Sequence, residues 1–267
     1  MDQAKNRKTS RVRVSKKDIE IALRELGLKK GDIVGVHSSL SSFGYVEGEA
    51  DTVIDALLEV VGREGTIVMP THSTNLVKVK LAPKEVAAGA LWLYQILPYN
   101  HKETPCSTGV IPETLRKRKG VMRSLHPVFS VAAIGPKAKE IVEAGSVNVL
   151  KAWKKLLGLE GHILLIGVDL GVCTAMHLAE ELVVLPEHIL EKITPPKWFV
   201  EKYPEDEWEW DFGPYPEFSK MEKPCQKHKI MKTIKVRGAT LKFVKLRELI
   251  ELYVEYLRKN PDQFYTT

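Results

Sequence analysis

The sequence has little cysteine, no long apolar run and neither of the two common glycine-rich nucleotide motifs. Only three of its 267 residues are cysteine, at Cys106, Cys173 and Cys225. They cannot all pair, and their scatter gives no metal-ligand spacing, which indicates a reduced, cytoplasmic protein without a metal. The apolar runs are shorter than the ~20 residues that span a membrane, so no membrane association is expected. Any phosphorylated ligand needs a cradle other than G-x-G-x-x-G or a P-loop.

The beginning of the sequence is polar and basic. The first fourteen residues read MDQAKNRKTSRVRV and lack the apolar core of a signal peptide. We expect a basic, flexible tail at 1–14 and a single domain over 15–267. The formal net charge of +6 suits an anionic partner. The basic residues have no interleaved aromatics, so nucleic acid is not expected as a partner.

Helical periodicity alternates with short apolar runs along most of the chain. Runs that are apolar on both faces are typical of strands covered on both sides, which predicts an α/β fold: a three-layer α/β/α sandwich around a mainly parallel sheet. Residues 195–227 are rich in proline, tryptophan and acids, and predict a long, lid-like insertion. The predicted helices are 15–26, 49–61, 110–119, 136–144, 147–157, 174–183 and 246–258; the predicted strands are 32–37, 66–69, 129–134 and 162–168, with a hairpin over about 230–244.

A serine-rich segment follows the first predicted strand. It reads HSSLSSFG over residues 37–44, at the carboxyl edge of the predicted sheet, where open α/β folds bind ligands. Small hydroxyl residues that open a helical turn present free N–H groups to anions. The same pattern also fits a plain helix N-cap, and the residues alone leave both interpretations open.

A second segment combines basic residues with a histidine. It reads RSLHP over residues 123–127, and Arg116, Lys117, Arg118 and Lys119 precede it. Such a segment can contact phosphate, and it can equally be a solvated helix face that leads into a loop. The residue types do not separate these two possibilities.

The third segment, CTAMHLAEE over residues 173–181, follows the apolar strand at 162–168. Thr174, His177 and Glu180 are spaced by three, so in a helix they lie near one face. A histidine at a strand-to-helix junction can act as a general base, whereas Cys173 raises the possibility of a thiol nucleophile. A buried histidine paired with an acid is the structural alternative. A metal site would need further ligands that no spacing supplies.

Together these segments resemble the aminoglycoside 3-N-acetyltransferase family. The resemblance runs from about residue 15 to 183 and is weaker in the closing hairpin and helix. It rests on three stretches in this order: VHSSLSSFGYVEGEADTVIDALLEVVGREGTIVMPTHS, GVIPETLRKRKGVMRSLHPVFSVAAIGPKA and LLIGVDLGVCTAMHLAE. It implies an α/β/α fold, acetyl-CoA as the donor, and direct acetyl transfer to an amine without an acyl-enzyme.

The resemblance also implies roles for individual residues. His177 falls on the family's catalytic histidine and Thr174 on a hydroxyl near the thioester; Glu180 completes the catalytic set that we expect. The positions that the resemblance assigns to acetyl-CoA are His37, Ser38, Ser39, Leu40, Thr71, Ser73, Arg123, Ser124, His126 and Ser130.

The expected function is therefore acetyl-CoA-dependent N-acetylation of an aminoglycoside antibiotic or a related amine. An alkylammonium must lose a proton before it attacks a thioester, and a histidine base can take it. The alternatives are a CoA-binding homologue that acts on a non-antibiotic amine and a thiol enzyme that uses Cys173. The expected partners are the small-molecule amine and acetyl-CoA, and a homodimer is left open.

Overall fold

The computed structural model describes residues 13–266. Helices and strands alternate along most of this length, as the sequence predicts. The strands are β1 (Arg13–Val14), β2 (Ile33–Ser38), β3 (Tyr45–Val46), β4 (Thr66–Pro70), β5 (Leu76–Lys78), β6 (Ala90–Ile96), β7 (Met122–Arg123), β8 (Val131–Ile134), β9 (His162–Ile166), β10 (Trp208–Phe212), β11 (Met231–Val236) and β12 (Ala239–Lys245). The helices are α1 (Lys16–Leu26), α2 (Glu49–Val61), α3 (Pro83–Ala87), α4 (Val110–Leu115), α5 (Ala138–Val147), α6 (Val149–Gly158), α7 (Glu187–Ile193), α8 (Lys197–Lys202), α9 (Glu222–Lys227) and α10 (Leu246–Lys259).

The main sheet has seven strands within the described residues, in the order β11-β12-β9-β2-β4-β8-β7. Only the central pairs β9–β2 and β2–β4 are parallel; the other four pairs are antiparallel. The prediction of a mainly parallel sheet is therefore wrong. An apolar run reports burial on both faces, which every inner strand of a covered sheet has, and it carries no information about strand direction.

Helices cover both faces of this sheet. On one face α1 and α2 pack over the inward side chains of β2, β4 and β9. On the other face α5, α6 and α10 bury a second core that contains Trp153. The two cores share the sheet between them, which gives the expected α/β organisation in a single domain.

Local sequence signals set the ends of the first helix. Ser15 accepts a hydrogen bond from the backbone of Asp18, and Asp18 accepts one from the backbone of Ser15, which is a capping box. Such a cap typically contributes about 1 kcal/mol. Gly27 ends the helix with a φ of 109°, which favours glycine. The predicted bounds of α1, α2, α10 and the closing hairpin agree with the structure to within about two residues.

Two predicted segments take a different form. Residues 174–182 form consecutive 3-10 turns instead of an α-helix. Residues 195–227 are not a loop, because they contain α8, β10 and α9. Strand β10 pairs with β6 in a second, three-stranded sheet of order β10-β6-β5. Phe199 and Phe212 are buried in the small core of this sheet.

Most of the predicted tail, residues 1–12, lies outside the described residues. Its last two residues form β1, which pairs in parallel with β3. Val14 is fully buried, so the folded domain includes these two residues. Within residues 13–266 no helix combines the length and apolar character needed to cross a bilayer.

Gly35 in β2 allows the sheet to approach α6 closely. A Cβ added there would lie 2.7 Å from the Trp153 ring and 3.0 Å from a Leu156 methyl carbon. Gly35→Ala should therefore lower the free energy of unfolding by about 1–3 kcal/mol, through overpacking. Gly158→Ala, at the end of α6 where nothing lies within 4 Å, should be neutral or stabilising. Urea unfolding measures both variants, and equal stability of Gly35→Ala and the parent would contradict this account of the packing.

Candidate active site

A cleft of about 970 Å³ opens beside the carboxyl ends of the parallel strands. The segments that follow β9 and β4 line it, as do the turn between α5 and α6 and the strand β10. Open α/β sheets place ligands at this edge. The lining residues that carry polar chemistry are His72, His126, Thr174, His177, Glu180, Glu181, Glu205, Asp206, Glu209 and Asp211, and the main aromatic ones are Phe129, Trp208, Trp210 and Tyr215.

His177 and Glu180 form a hydrogen-bonded pair at this cleft. His177 Nδ1 lies 3.0 Å from Glu180 Oε2. In 3-10 turns the side chains at i and i+3 eclipse, so the segment aligns these two residues with Thr174. The ring of Phe218 packs edge-on against His177 at 4.7 Å and fixes its other side. The three residues predicted as catalytic are therefore adjacent and line one cleft.

Cys173 lies apart from this chemistry. Its side chain is fully buried, and burial raises the pKa of its thiol to about 12. It is not among the residues that line the cleft. A thiol that stays protonated and does not reach a ligand is a poor nucleophile. The geometry therefore disfavours the hypothesis of a thiol enzyme based on Cys173.

Strand β10 supplies an acidic wall, Glu209 and Asp211, opposite the histidine. Burial, followed by the charges of Asp211 and Glu205, raises the pKa of Glu209 to about 8. Burial also raises the pKa of Asp211 to about 6, although His177 acts in the opposite direction. These carboxylates are half-buried and form no ion pair within the described chain. Such a wall favours a cationic ligand.

Two of the predicted donor-site histidines and one unpredicted histidine lie in a row. His126 Nδ1 accepts hydrogen bonds from the backbones of Val128 (3.2 Å) and Phe129 (2.9 Å), so in the neutral ring Nε2 carries the proton. Burial and the nearby His126 lower the pKa of His72 to about 4. Burial and His72 lower the pKa of His37 to about 3. The row is therefore uncharged at neutral pH.

Arg123 is buried, and protein groups occupy all five of its N–H donors. The acceptors are Ser130 Oγ, Ser73 Oγ and the carbonyl oxygens of Thr71, His101 and Thr104. Ser124 is also buried: it accepts from the Val131 backbone, and its carbonyl accepts from Tyr99. Arg123 therefore has no free guanidinium donor for a phosphate, and the assignment of Arg123 and Ser124 to the acetyl-CoA site stays a prediction. Arg123 connects the segments that follow β4 and β6 to the one that precedes β8. Ser124 connects Tyr99 to β8.

The serine-rich segment forms one short 3-10 turn, Leu40–Phe43, with Ser39 before it. His37 Nε2 and Ser38 Oγ are buried and have no hydrogen-bond partner within residues 13–266. Buried polar atoms normally have partners, so each of these atoms suits a ligand with amide or hydroxyl groups. The pantetheine arm of acetyl-CoA has such groups. The two side chains point to opposite faces of β2, and neither residue is among those that line the cleft. Thr71 and Ser130, whose hydroxyls lie 3.1 Å apart, belong to the adjacent Arg123 cluster.

The described residues contain no cluster of three or more histidine, cysteine or acidic side chains that could hold a metal ion. The basic run before Arg123 is engaged in ion pairs: Arg116 binds Glu113 at 2.6 Å, and Arg118 binds Asp51 and Asp55. The pairing favours the interpretation of this run as a structural surface.

The sequence analysis missed His72 as a cleft residue and the pairing of β10 with β6. His72 stands between the predicted Thr71 and Ser73, so its position after a buried strand was an available signal. The acids of β10 were noted only as part of a charged insertion. Their place opposite His177 depends on a strand pair more than 110 residues apart, which local periodicity does not reveal.

The raised pKa of Glu209 predicts a pH-dependent stability. The folded protein binds this proton more tightly than the unfolded chain, so the free energy of unfolding falls as pH rises from 4.5 to about 8. Glu209→Gln should melt at the same temperature as the parent at pH 5 and about 2–4 °C higher at pH 8. Glu207→Gln, at an exposed position on the same segment, is the matched control. The same difference in melting temperature between Glu209→Gln and the parent at both pH values would contradict the burial of an uncompensated carboxylate.

Comparison with known proteins adds a family to this geometry. The family model described as aminoglycoside 3-N-acetyltransferase matches residues 36–258. The SPbeta prophage-derived aminoglycoside N(3')-acetyltransferase-like protein YokD of Bacillus subtilis is 39% identical over 175 residues, which is 62% of this chain and 64% of YokD. Aminoglycoside N(3)-acetyltransferase IX of Micromonospora chalcea is 33% identical over 178 residues, 63% of this chain and 62% of that enzyme. The matched parts thus span slightly less than two thirds of these relatives.

Solved structures share the fold over nearly the whole length. The crystal structure of YokD superposes with a TM-score of 0.73 at 29% identity and covers 94% of this chain and 96% of YokD. The binary complex of AAC-IIIb with CoASH gives a TM-score of 0.72 at 22% identity and covers 96% of this chain and 99% of that chain. The match of the family model over most of the chain, joined to this fold, identifies the chain as a member of the aminoglycoside 3-N-acetyltransferase family.

Proposed function

We propose that this protein transfers the acetyl group of acetyl-CoA directly to an amine of an aminoglycoside or a similar polycation, with His177 as the general base. The observation that carries the proposal is the His177–Glu180 pair, 3.0 Å apart, in a cleft whose opposite wall is acidic. The names of the relatives support the same reaction. One solved neighbour is a complex with CoASH, and another is an AAC(3)-IVa variant in complex with apramycin.

The pair can generate a free base at neutral pH. A carboxylate only accepts hydrogen bonds, so the proton of neutral His177 resides on Nδ1 and points to Glu180. Nε2 then keeps its lone pair for the proton of an incoming ammonium group. Glu180 also stabilises the imidazolium that forms when His177 takes that proton.

The transfer step balances with the groups of this cleft. The amine nitrogen, after its proton passes to His177, forms a bond to the thioester carbon. As the carbon–sulfur bond breaks, the nitrogen of the adduct loses a second proton. The CoA thiolate leaves and takes up one of the two protons, and the other passes to solvent. Thr174, one 3-10 turn before His177, is the candidate donor to the thioester oxygen; loss of one such donor typically costs about 3–4 kcal/mol in transition-state stabilisation.

The acidic wall suits the acceptor. Glu209 and Asp211 hold uncompensated carboxylates whose pKa values are raised to about 8 and about 6. A polycationic amine supplies the missing positive charge and keeps both groups ionised. Trp208 and Trp210 also line the cleft, and their rings pack on the small core of the β10-β6-β5 sheet.

The donor side is proposed around the end of β2, behind His72 and outside the residues that line the cleft. We assign the pantetheine contacts to His37, Ser38, Ser39 and Leu40, where unpartnered buried polar atoms occur. The proton on His126 Nε2 is available to a carbonyl of the donor. Thr71, Ser73 and Ser130 contribute through the Arg123 cluster, whereas Arg123 and Ser124 themselves hold the scaffold.

Binding of the donor can be tested without a known acceptor. A ligand that binds only the folded state raises the melting temperature, so millimolar acetyl-CoA should raise it. Replacement of Ser38 and Ser39 by leucine should remove the shift, because bulky side chains fill the space beside His37. The matched control is Ser219→Leu, in the 3-10 turn beyond β10. No shift with the parent protein would overturn the assignment of the donor.

The base is tested by kinetics. General-base catalysis contributes about 10²–10⁴-fold, so His177→Ala should lower kcat by that factor and leave the Kd for acetyl-CoA unchanged. His188→Ala, which removes an exposed histidine paired with Asp262, is the control. Release of the CoA thiol is followed against a panel of aminoglycosides and simple amines. Near-normal kcat in folded His177→Ala would refute the mechanism, and turnover of simple amines alone would favour the homologue that acts on a non-antibiotic amine.

A further inference from the structure

The second carboxylate oxygen of Glu180 is buried. Oε2 faces His177, but Oε1 has no hydrogen-bond partner within residues 13–266. A buried carboxylate oxygen without a donor is costly, because it loses water and gains nothing in exchange. Glu180, the partner of His177, therefore has one acceptor oxygen that needs a hydrogen-bond donor from elsewhere in the protein.

Two tyrosine hydroxyls lie next to this oxygen. The hydroxyls of Tyr253, in α10, and Tyr265 are likewise buried and unpartnered within the described residues. Burial first, and the neighbouring Glu180 carboxylate second, raise the pKa of both phenols. Two donors without an acceptor thus adjoin an acceptor without a donor. A buried tyrosine hydroxyl normally finds a partner.

An aromatic chain fixes these groups relative to His177. Phe218 contacts His177 at 4.7 Å and Tyr253 at 5.6 Å between ring centroids. Tyr253 in turn packs edge-on against Phe264 at 4.9 Å. The Phe264 carbonyl accepts a hydrogen bond of 2.8 Å from the Glu217 backbone, which anchors the segment that carries Tyr265. The position of Tyr265 is therefore set by the same side chains that hold the histidine.

We propose that Tyr265 is a positioning residue for acetyl transfer: its hydroxyl donates to Glu180 Oε1, with Tyr253 as a flanking donor, and so sets the proton affinity of the His177–Glu180 pair. The inference rests on the proposed function. Because a donor to the ionised carboxylate stabilises the deprotonated pair, its removal makes the pair hold its proton more tightly. The base is then blocked over a wider range of pH.

Other charged groups also face this pair, and they are the same residues in the parent and in every variant. Asp211 and Glu209 face it from β10. Glu181 adjoins Glu180 in the chain and is bound to Lys154 of α6 at 3.0 Å. None of these groups is altered by removal of a tyrosine hydroxyl, so a shift in titration reports the contact with Glu180.

The test compares the full-length parent protein with Tyr265→Phe, Tyr253→Phe and Tyr256→Phe. Tyr256 is also in α10, but its ring faces His228, which makes it the matched control. NMR of protein labelled at histidine follows the titration of the His177 ring, which His177→Ala assigns. In Tyr265→Phe the midpoint should move upward by about one pH unit, with a smaller upward shift in Tyr253→Phe and none in Tyr256→Phe. The acid limb of the pH profile of kcat/KM should move with it.

A double-mutant cycle tests whether the effect passes through Glu180. In a Glu180→Gln background the ionised acceptor is absent, so Tyr265→Phe should leave the His177 midpoint unchanged. The same midpoint in Tyr265→Phe and Tyr256→Phe, or an equal shift in the Glu180→Gln background, would overturn the proposal. The NMR readout does not require turnover. If the midpoint shifts but no acetyl group is transferred, the proposed function is refuted and the contact between Tyr265 and Glu180 is supported. If acetyl groups are transferred but the midpoint does not shift, the proposed function stands and the contact is refuted.

Discussion

The buried guanidinium of Arg123 is the interaction on which the cleft wall that carries His72 and His126 depends. A buried cation is tolerated only when its hydrogen bonds are satisfied, and here five acceptors from three parts of the chain surround it. Two of these acceptors flank His72, and a third, Ser130, lies just after the turn that carries His126. The need to pair this one buried charge therefore sets the positions of both His72 and His126.

The carboxylates of the cleft differ from Arg123, because they are buried without a full set of partners. Glu209 and Asp211 are desolvated without a cation, and Glu180 is desolvated with a single histidine partner. At neutral pH the raised pKa keeps Glu209 largely protonated and leaves Asp211 largely ionised, whereas Glu180 already has a proton donor in Nδ1 of His177. Burial and the choice of partner therefore give acidic residues of one cleft different states of protonation.

Much of this structure follows from local sequence. The capping box at Ser15, the αL glycine at Gly27 and the apolar stripe between them define α1. The i, i+3 spacing predicted that His177 and Glu180 lie near one face, and the 3-10 turns bring them into contact. What the sequence did not reveal depends on distant partners. Strand direction, the pairing of β10 with β6 and the carbonyl ligands of Arg123 all join segments whose local patterns are ambiguous alone. Tyr265 lies 85 residues beyond Glu180, and no periodic pattern connects them.

The small sheet β10-β6-β5 has its own aromatic core. Beside this core, Glu85 of α3 accepts hydrogen bonds from Tyr203 at 2.6 Å and from Lys202 at 2.9 Å. The acidic wall therefore belongs to a small unit that two chain segments form. The His177–Glu180 pair follows β9 of the separate seven-stranded sheet. Sequence drift in those two segments can reshape what the cleft admits and leave the chemistry untouched. A lineage built on this scaffold is free to change its substrates faster than its reaction.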